Sequence, residues 1–222
     1  MTIYLLIAIL LAVIYIGVEL FSKPLFAIYA KAFASMGFIV LGLVSFNTSS
    51  FEPMIYVIIG LLFGMIGDVV LALRPLRPKE EDETIILGGI FTFSMGHIFY
   101  LIFLLSLSQL HFISIIISIV MTIVVVIGSY MMKFEMGKTR IPSYIYSALI
   151  FLMIGQAIVF TMNQGANQGT LLLLVGAILF GISDLILAPI YYKRMHTKLM
   201  VSSNLITYYL AQILIAYSLF FL

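Results

Sequence analysis

The sequence predicts an all-α membrane protein, a bundle of eight transmembrane helices. Three observations predict it. Of the 222 residues, 64% are hydrophobic and 9% charged, whereas a soluble domain carries about 25% charged residues. So few charges cannot cover a surface that faces water. Eight stretches are apolar over the roughly 17–25 residues that a spanning helix needs. The 11 basic residues gather at alternate connections between those stretches. The whole chain, 1–222, therefore reads as a single transmembrane domain.

The predicted spans are approximately 2–18, 25–45, 53–73, 85–106, 112–131, 141–161, 169–190 and 203–222. No basic region precedes the first apolar run and no small-x-small site follows it, so it reads as a span and not a cleaved leader. The second opens after Lys23-Pro24 and stops before the polar run Phe46-Asn47-Thr48-Ser49-Ser50. The third ends at Leu73-Arg74-Pro75. Residues 74–84, with the acidic run Glu80-Glu81-Asp82-Glu83, read as a solvated loop. The sixth begins beside Pro142, in a first turn that tolerates proline. Polar residues 163–168 and 192–202 bound the seventh.

The basic residues set the expected orientation. Lys23 and Lys31 lie at the first connection or just inside helix 2; Arg74, Arg77 and Lys79 at the third. Lys133, Lys138 and Arg140 lie at the fifth, and Lys193, Arg194 and Lys198 at the seventh. The remaining connections and both termini have none. Lys and Arg in short loops mark the cytoplasmic side, so both termini are expected outside and the protein in the cell membrane.

Two stretches stand out against this background. Gly67-Asp68-Val69-Val70-Leu71-Ala72 and Ser183-Asp184-Leu185-Ile186-Leu187-Ala188 share the pattern small-Asp-x-x-Leu-Ala, 116 residues apart. An Asp at a helix centre in lipid costs about 2.5–3.5 kcal/mol on insertion scales, so it marks function by default. Aligning them brings Pro24 near Pro142, and His97 near Gln212. This reads as a parallel four-plus-four repeat about the membrane normal. At 1.5 Å per residue, both Asp lie about 8 Å inside the cytoplasmic edge. Lys31, Tyr146, Tyr208 and Gln212 lie in the same half, with His97 nearest the midplane. Gly60, Gly64 and Asp68 share one helical stripe, as do Ala177, Gly181 and Asp184. Small residues allow close helix approach, which turns both carboxylates into the bundle. The polar layer reads as a cavity open to the cytoplasmic leaflet.

The chain has no cysteine, so disulfides, thiolate chemistry and zinc-finger sites are excluded. His111 and His196 fall in loops, and no role is assigned to them. The residues alone leave three chemistries open: acid–base hydrolysis by two carboxylates in unlike environments, proton- or ion-coupled transport, and a metal held by two Asp and a His. Transport sites favour helices broken near the midplane. Here the prolines sit at helix ends or in loops, which favours an enzyme.

The ordered set Gly67-Asp68-x-x-Leu71-Ala72, Gly96-His97, Gly176-Ala177-x-x-Phe180, Ser183-Asp184 and Tyr208-Tyr209-Leu210-Ala211-Gln212 resembles the YhhN family of membrane proteins. Lys23-Pro24 and Tyr146 also fit its pattern. The resemblance implies a lysoplasmalogenase. Such an enzyme hydrolyses the vinyl ether of a lysoplasmalogen to a fatty aldehyde and glycerophosphoethanolamine or glycerophosphocholine. It implies Asp68 and Asp184 as acid and base or stabiliser. His97, Tyr146, Tyr208 and Gln212 would orient water and the glycerol end, and Lys23 and Lys31 would attract the phosphate. The partner would be a lysophospholipid from the membrane, with no nucleic acid involved. The reaction needs neither a metal nor an organic cofactor.

Overall fold

The computed structural model describes residues 1–49 and 51–222. Ser50, in the predicted 46–50 loop, lies outside the described residues. Eight α-helices follow in order: α1 (Thr2–Phe21), α2 (Pro24–Ser49), α3 (Ile55–Ala72), α4 (Asp82–Leu107), α5 (Phe112–Met131), α6 (Arg140–Gln164), α7 (Gln168–Tyr192) and α8 (Lys198–Ser218). Among the described residues, these eight are long and apolar enough to cross a membrane. The protein is thus a multi-pass, all-helical membrane protein.

Most helices run past the apolar stretch that signals them. Polar residues close the last turns without breaking them, so α2 continues through Asn47 and Thr48. The expected 74–84 loop is largely helical too. Single 3-10 turns cover Arg74–Leu76 and Lys79–Glu81, and α4 already begins at Asp82. Its acidic run is only partly solvated. Arg74 forms a two-point ion pair with Asp82, closed through Nε and Nη2, and Arg77 lies 3.9 Å from Glu81. Helix α8 departs most from expectation. Thr197 caps it by accepting a hydrogen bond from Met200 N–H at 3.2 Å, so it starts at Lys198 and ends at Ser218. Asn204, expected at the edge, is thereby carried nearly two turns inside. Pro189 lies within α7, one turn from its end, where few further backbone bonds remain to be lost.

Sequential helices pair as hairpins, α1 with α2, α3 with α4, α5 with α6 and α7 with α8. α2 also packs on α3, α6 on α7, α4 on α6, and α8 on both α1 and α2. Two hairpins close at glycine. A Cβ on Gly60 of α3 would stand 3.0 Å from the Gly96 carbonyl oxygen of α4. One on Gly176 of α7 would stand 3.0 Å from the Ala211 carbonyl oxygen of α8. Only a missing side chain lets these backbones approach so closely. Hydrogen bonds tie α5 to α6, where Ser114 Oγ donates to Gln156 Oε1 at 2.8 Å. Gln156 Nε2 then donates to Ser108 Oγ and the Gln109 carbonyl, each at 2.9 Å.

The connections that carry the basic residues gather at one end of the bundle. Residues of the α1–α2, α3–α4 and α7–α8 connections line one cavity there. Glu135 N–H of the α5–α6 connection donates to the Tyr192 carbonyl at 3.0 Å. The polar interior lies at this basic end.

Candidate active site

Asp68 is 1% exposed and held on every side. Its Oδ1 lies 3.3 Å from Lys31 Nζ. Its Oδ2 accepts from Ser35 Oγ at 2.6 Å and from Tyr208 OH at 2.8 Å. Lys31 and Ser35 are four residues apart, so one face of α2 supplies both partners. Behind Tyr208 the network continues, as Gln212 Nε2 donates to the Tyr208 oxygen at 3.2 Å. Gln212 Oε1 accepts from Tyr100 OH at 2.8 Å. Gly64 leaves the room for this, because a Cβ there would come within 2.5 Å of Gln212 Nε2. A carboxylate buried without a partner would be strongly disfavoured. Here Lys31 supplies the counter-charge at Oδ1 and two hydroxyls take both lone pairs of Oδ2.

Asp184 is half-buried and differently placed. Tyr146 OH donates to its Oδ2 at 2.6 Å, and among the described residues it has no cation within ion-pair distance. The preceding residue is anchored, since Asn204 Nδ2 donates to the Ser183 carbonyl at 2.7 Å.

Two cavities meet at Asp184. The larger, about 180 Å³, is lined by Glu19, Lys31, Asp68, Arg74, Asp184, His196, Asn204 and Tyr208, among others. The smaller, about 100 Å³, lies among α4, α5, α6 and α7, with Ile86, Ile90, Val125, Ile150 and Phe151 in its wall. Leu71, Phe93, Asp184, Leu187 and Tyr191 line both. Among the described residues, Asp184 is thus the one ionisable carboxyl that faces a polar compartment and an apolar one.

The other expected residues fall into three groups. Tyr208 and Lys31 line the larger cavity, but the Lys31 ammonium is engaged by Asp68. Tyr146 lines the smaller one. Gln212 and His97 stand behind the walls. His97 is 1% exposed, with its ring 4.4 Å from that of Phe180, edge to face. Its Nδ1 is 3.3 Å from Met153 Sδ, and its Nε2 has no hydrogen-bond partner. Lys23 is exposed at the α1–α2 junction, between Ser22 and Pro24 of the larger cavity. Among the described residues, no group of three or more His, Asp or Glu is arranged to hold a metal ion.

Some residues of the site escaped the sequence reading. Ser35 carried a signal, its spacing from Lys31. Arg74 was visible only as a loop charge; its guanidinium lies 4.3 Å above the Tyr191 ring centroid. Glu19 was a lone acid near the end of a span. His196 follows a helix end, and nothing in its surroundings in sequence distinguishes it.

A sequence model described as the YhhN family matches residues 18–219. The chain belongs to the YhhN family. The matched region holds both Asp stretches and the lining of the two cavities except Tyr15, so the site is built almost wholly from the family's own segment. No curated protein and no solved structure was found to match this YhhN chain.

Proposed function

We propose that this protein is a lysoplasmalogenase-like hydrolase of the cell membrane. It cleaves the vinyl ether of a lysophospholipid drawn from the cytoplasmic leaflet. The observation that carries the reading is the carboxyl of Asp184 on the shared wall of a polar and an apolar cavity. An alkenyl lysolipid is an amphiphile whose scissile C–O bond joins a polar glycerophospho headgroup to an apolar chain. With the headgroup in the larger cavity and the reacting end of the chain in the smaller, that bond falls at Asp184. Membership of the YhhN family supports the same reading.

The two carboxyls then divide the work. Asp68 receives three donors, one of them cationic, and serves as the fixed anion. Asp184 has one oxygen engaged by Tyr146 and the other free to carry a proton. It protonates the β-carbon of the vinyl ether, and an oxocarbenium ion forms at the carbon bearing oxygen. Anions preorganised beside a developing cation stabilise it. Water adds to that carbon, and its proton returns to the Asp184 carboxylate. The hemiacetal collapses to an alcohol on the glycerol and a fatty aldehyde, so one water is consumed per bond cleaved. The glycines eight residues before each Asp, Gly60 and Gly176, close equivalent hairpins, which favours a duplicated four-helix unit as the source of the paired sites.

The test is purified protein in detergent with lysoplasmenylethanolamine, following aldehyde. Wild type should release it. Asp184→Asn should lower kcat by at least 100-fold, within the range that general acid–base catalysis contributes. Reaction in deuterium oxide should leave one deuterium on the aldehyde α-carbon. No aldehyde from wild type, or full activity in both Asp→Asn variants, sinks the assignment.

A further inference from the structure

The larger cavity holds more charge than the proposed chemistry uses. Lys31 is spent on Asp68. Arg74 is steadied by Asp82 through Nε and Nη2 and by the Tyr191 ring, which leaves Nη1 outside that ion pair. Glu19 is the remaining charge. Its Oε2 accepts from Tyr15 OH at 3.1 Å, and among the described residues no cation stands within ion-pair distance of it. It also sits in the last turn of α1, which ends at Phe21. The helix dipole disfavours a negative charge at that end, so the helix itself gives no reason for an acid there. A carboxylate facing a cavity in an apolar bundle is favoured by a counter-charge; Lys31, the lysine that lines the same cavity, is committed to Asp68, and among the described residues no cation forms an ion pair with Glu19.

We propose that Glu19 and Arg74 form a two-point cradle for a phosphate–ammonium headgroup. Arg74 takes the phosphate and Glu19 the ammonium. An ethanolamine- or choline-bearing lysolipid supplies the charge that Glu19 lacks, and an amine-free one leaves it unpaired. Glu19 is therefore the residue that makes this site select zwitterionic headgroups. The inference rests on the larger cavity being the headgroup compartment, as in the proposed reaction.

Binding separates the two ideas. The full-length protein in detergent is titrated calorimetrically with glycerophosphoethanolamine and with sn-glycerol 3-phosphate. Wild type should bind the first more tightly. Glu19→Gln should weaken glycerophosphoethanolamine by tenfold or more and leave glycerol phosphate within twofold, while Glu19→Asp, which keeps the charge, retains the preference. Arg74→Gln should weaken both. With vinyl ether substrates, Glu19→Gln should lower kcat/KM for the ethanolamine lipid relative to the glycerol lipid. Equal affinities in wild type, or equal losses for both ligands in Glu19→Gln, overturn the cradle. Selective binding without aldehyde release would keep the cradle and overturn the reaction.

Discussion

At the residue scale, the two carboxyls are alike in sequence and unlike in surroundings. Gly67-Asp68 and Ser183-Asp184 share their flanking pattern, and pattern alone treats them as equals. What separates them comes from other helices: Lys31 and Ser35 from α2 and Tyr208 from α8 for one, Tyr146 from α6 for the other. Lys31, Tyr208 and Tyr146 were legible as polar groups at the right depth, but not as partners of a particular Asp, and Ser35 was missed. Two substitutions expose the difference. Tyr146→Phe removes a single hydrogen bond to Asp184. The bond becomes charge-assisted as Asp184 gives up its proton, where such a bond is worth about 1.5–3 kcal/mol, so kcat should fall by roughly 10- to 100-fold. Lys31→Met leaves the Asp68 carboxylate buried and unpaired, which costs about 3–5 kcal/mol. Its melting temperature in detergent should drop sharply. The double variant Lys31→Met with Asp68→Asn should recover stability without recovering activity. If Lys31→Met melts like wild type, the ion pair is not what holds Asp68.

At the scale of elements, all eight helices were legible, because apolar runs of spanning length have few alternatives in a chain of this composition. Their ends were not. Helix α8 was displaced because Thr197 supplies a cap that hydropathy does not register. Hairpin closure is carried by glycines, and a prediction follows from their unequal surroundings. A Cβ at Gly60 would stand 2.3 Å from Tyr100 Cε1, with the Gly96 carbonyl behind it, whereas one at Gly128 meets nothing within 4 Å. Alanine favours a helix over glycine by up to about 1 kcal/mol, so Gly128→Ala should be neutral or stabilising. Gly60→Ala should destabilise by about 1–3 kcal/mol through overpacking. It should also lower activity, because Tyr100 must move and its hydroxyl holds Gln212. Thermal melts of the two variants decide this, and equal melting temperatures would contradict it.

At the scale of the molecule, the gathering of basic connections at one end gives a direct test of orientation. The chain has no cysteine, so single cysteines report cleanly. Cysteine at Lys79 should react with an impermeant maleimide only after cells are opened, and cysteine at Asn167 in intact cells. The reverse pattern would turn the protein over and move the polar cavity to the other leaflet. The existence of a polar layer at that end was legible from helical depth alone. Its division into two compartments was not, because it depends on where the α3–α4 and α7–α8 hairpins leave space, and Leu71, Leu187 and Tyr191 form the partition only once folded.

That partition has a consequence for how turnover ends. Cutting an amphiphile at the boundary creates one product at home in water and another at home in oil. In the proposed reaction each would leave on its own side of Leu71 and Leu187, so that neither would have to cross ground that repels it. The aldehyde of that reaction, which would attack lysines if it lingered in water, would be left among the aliphatic side chains of the smaller cavity. Clearance of the site would then need no separate exporting step: the difference in solubility of the two fragments would drive them apart.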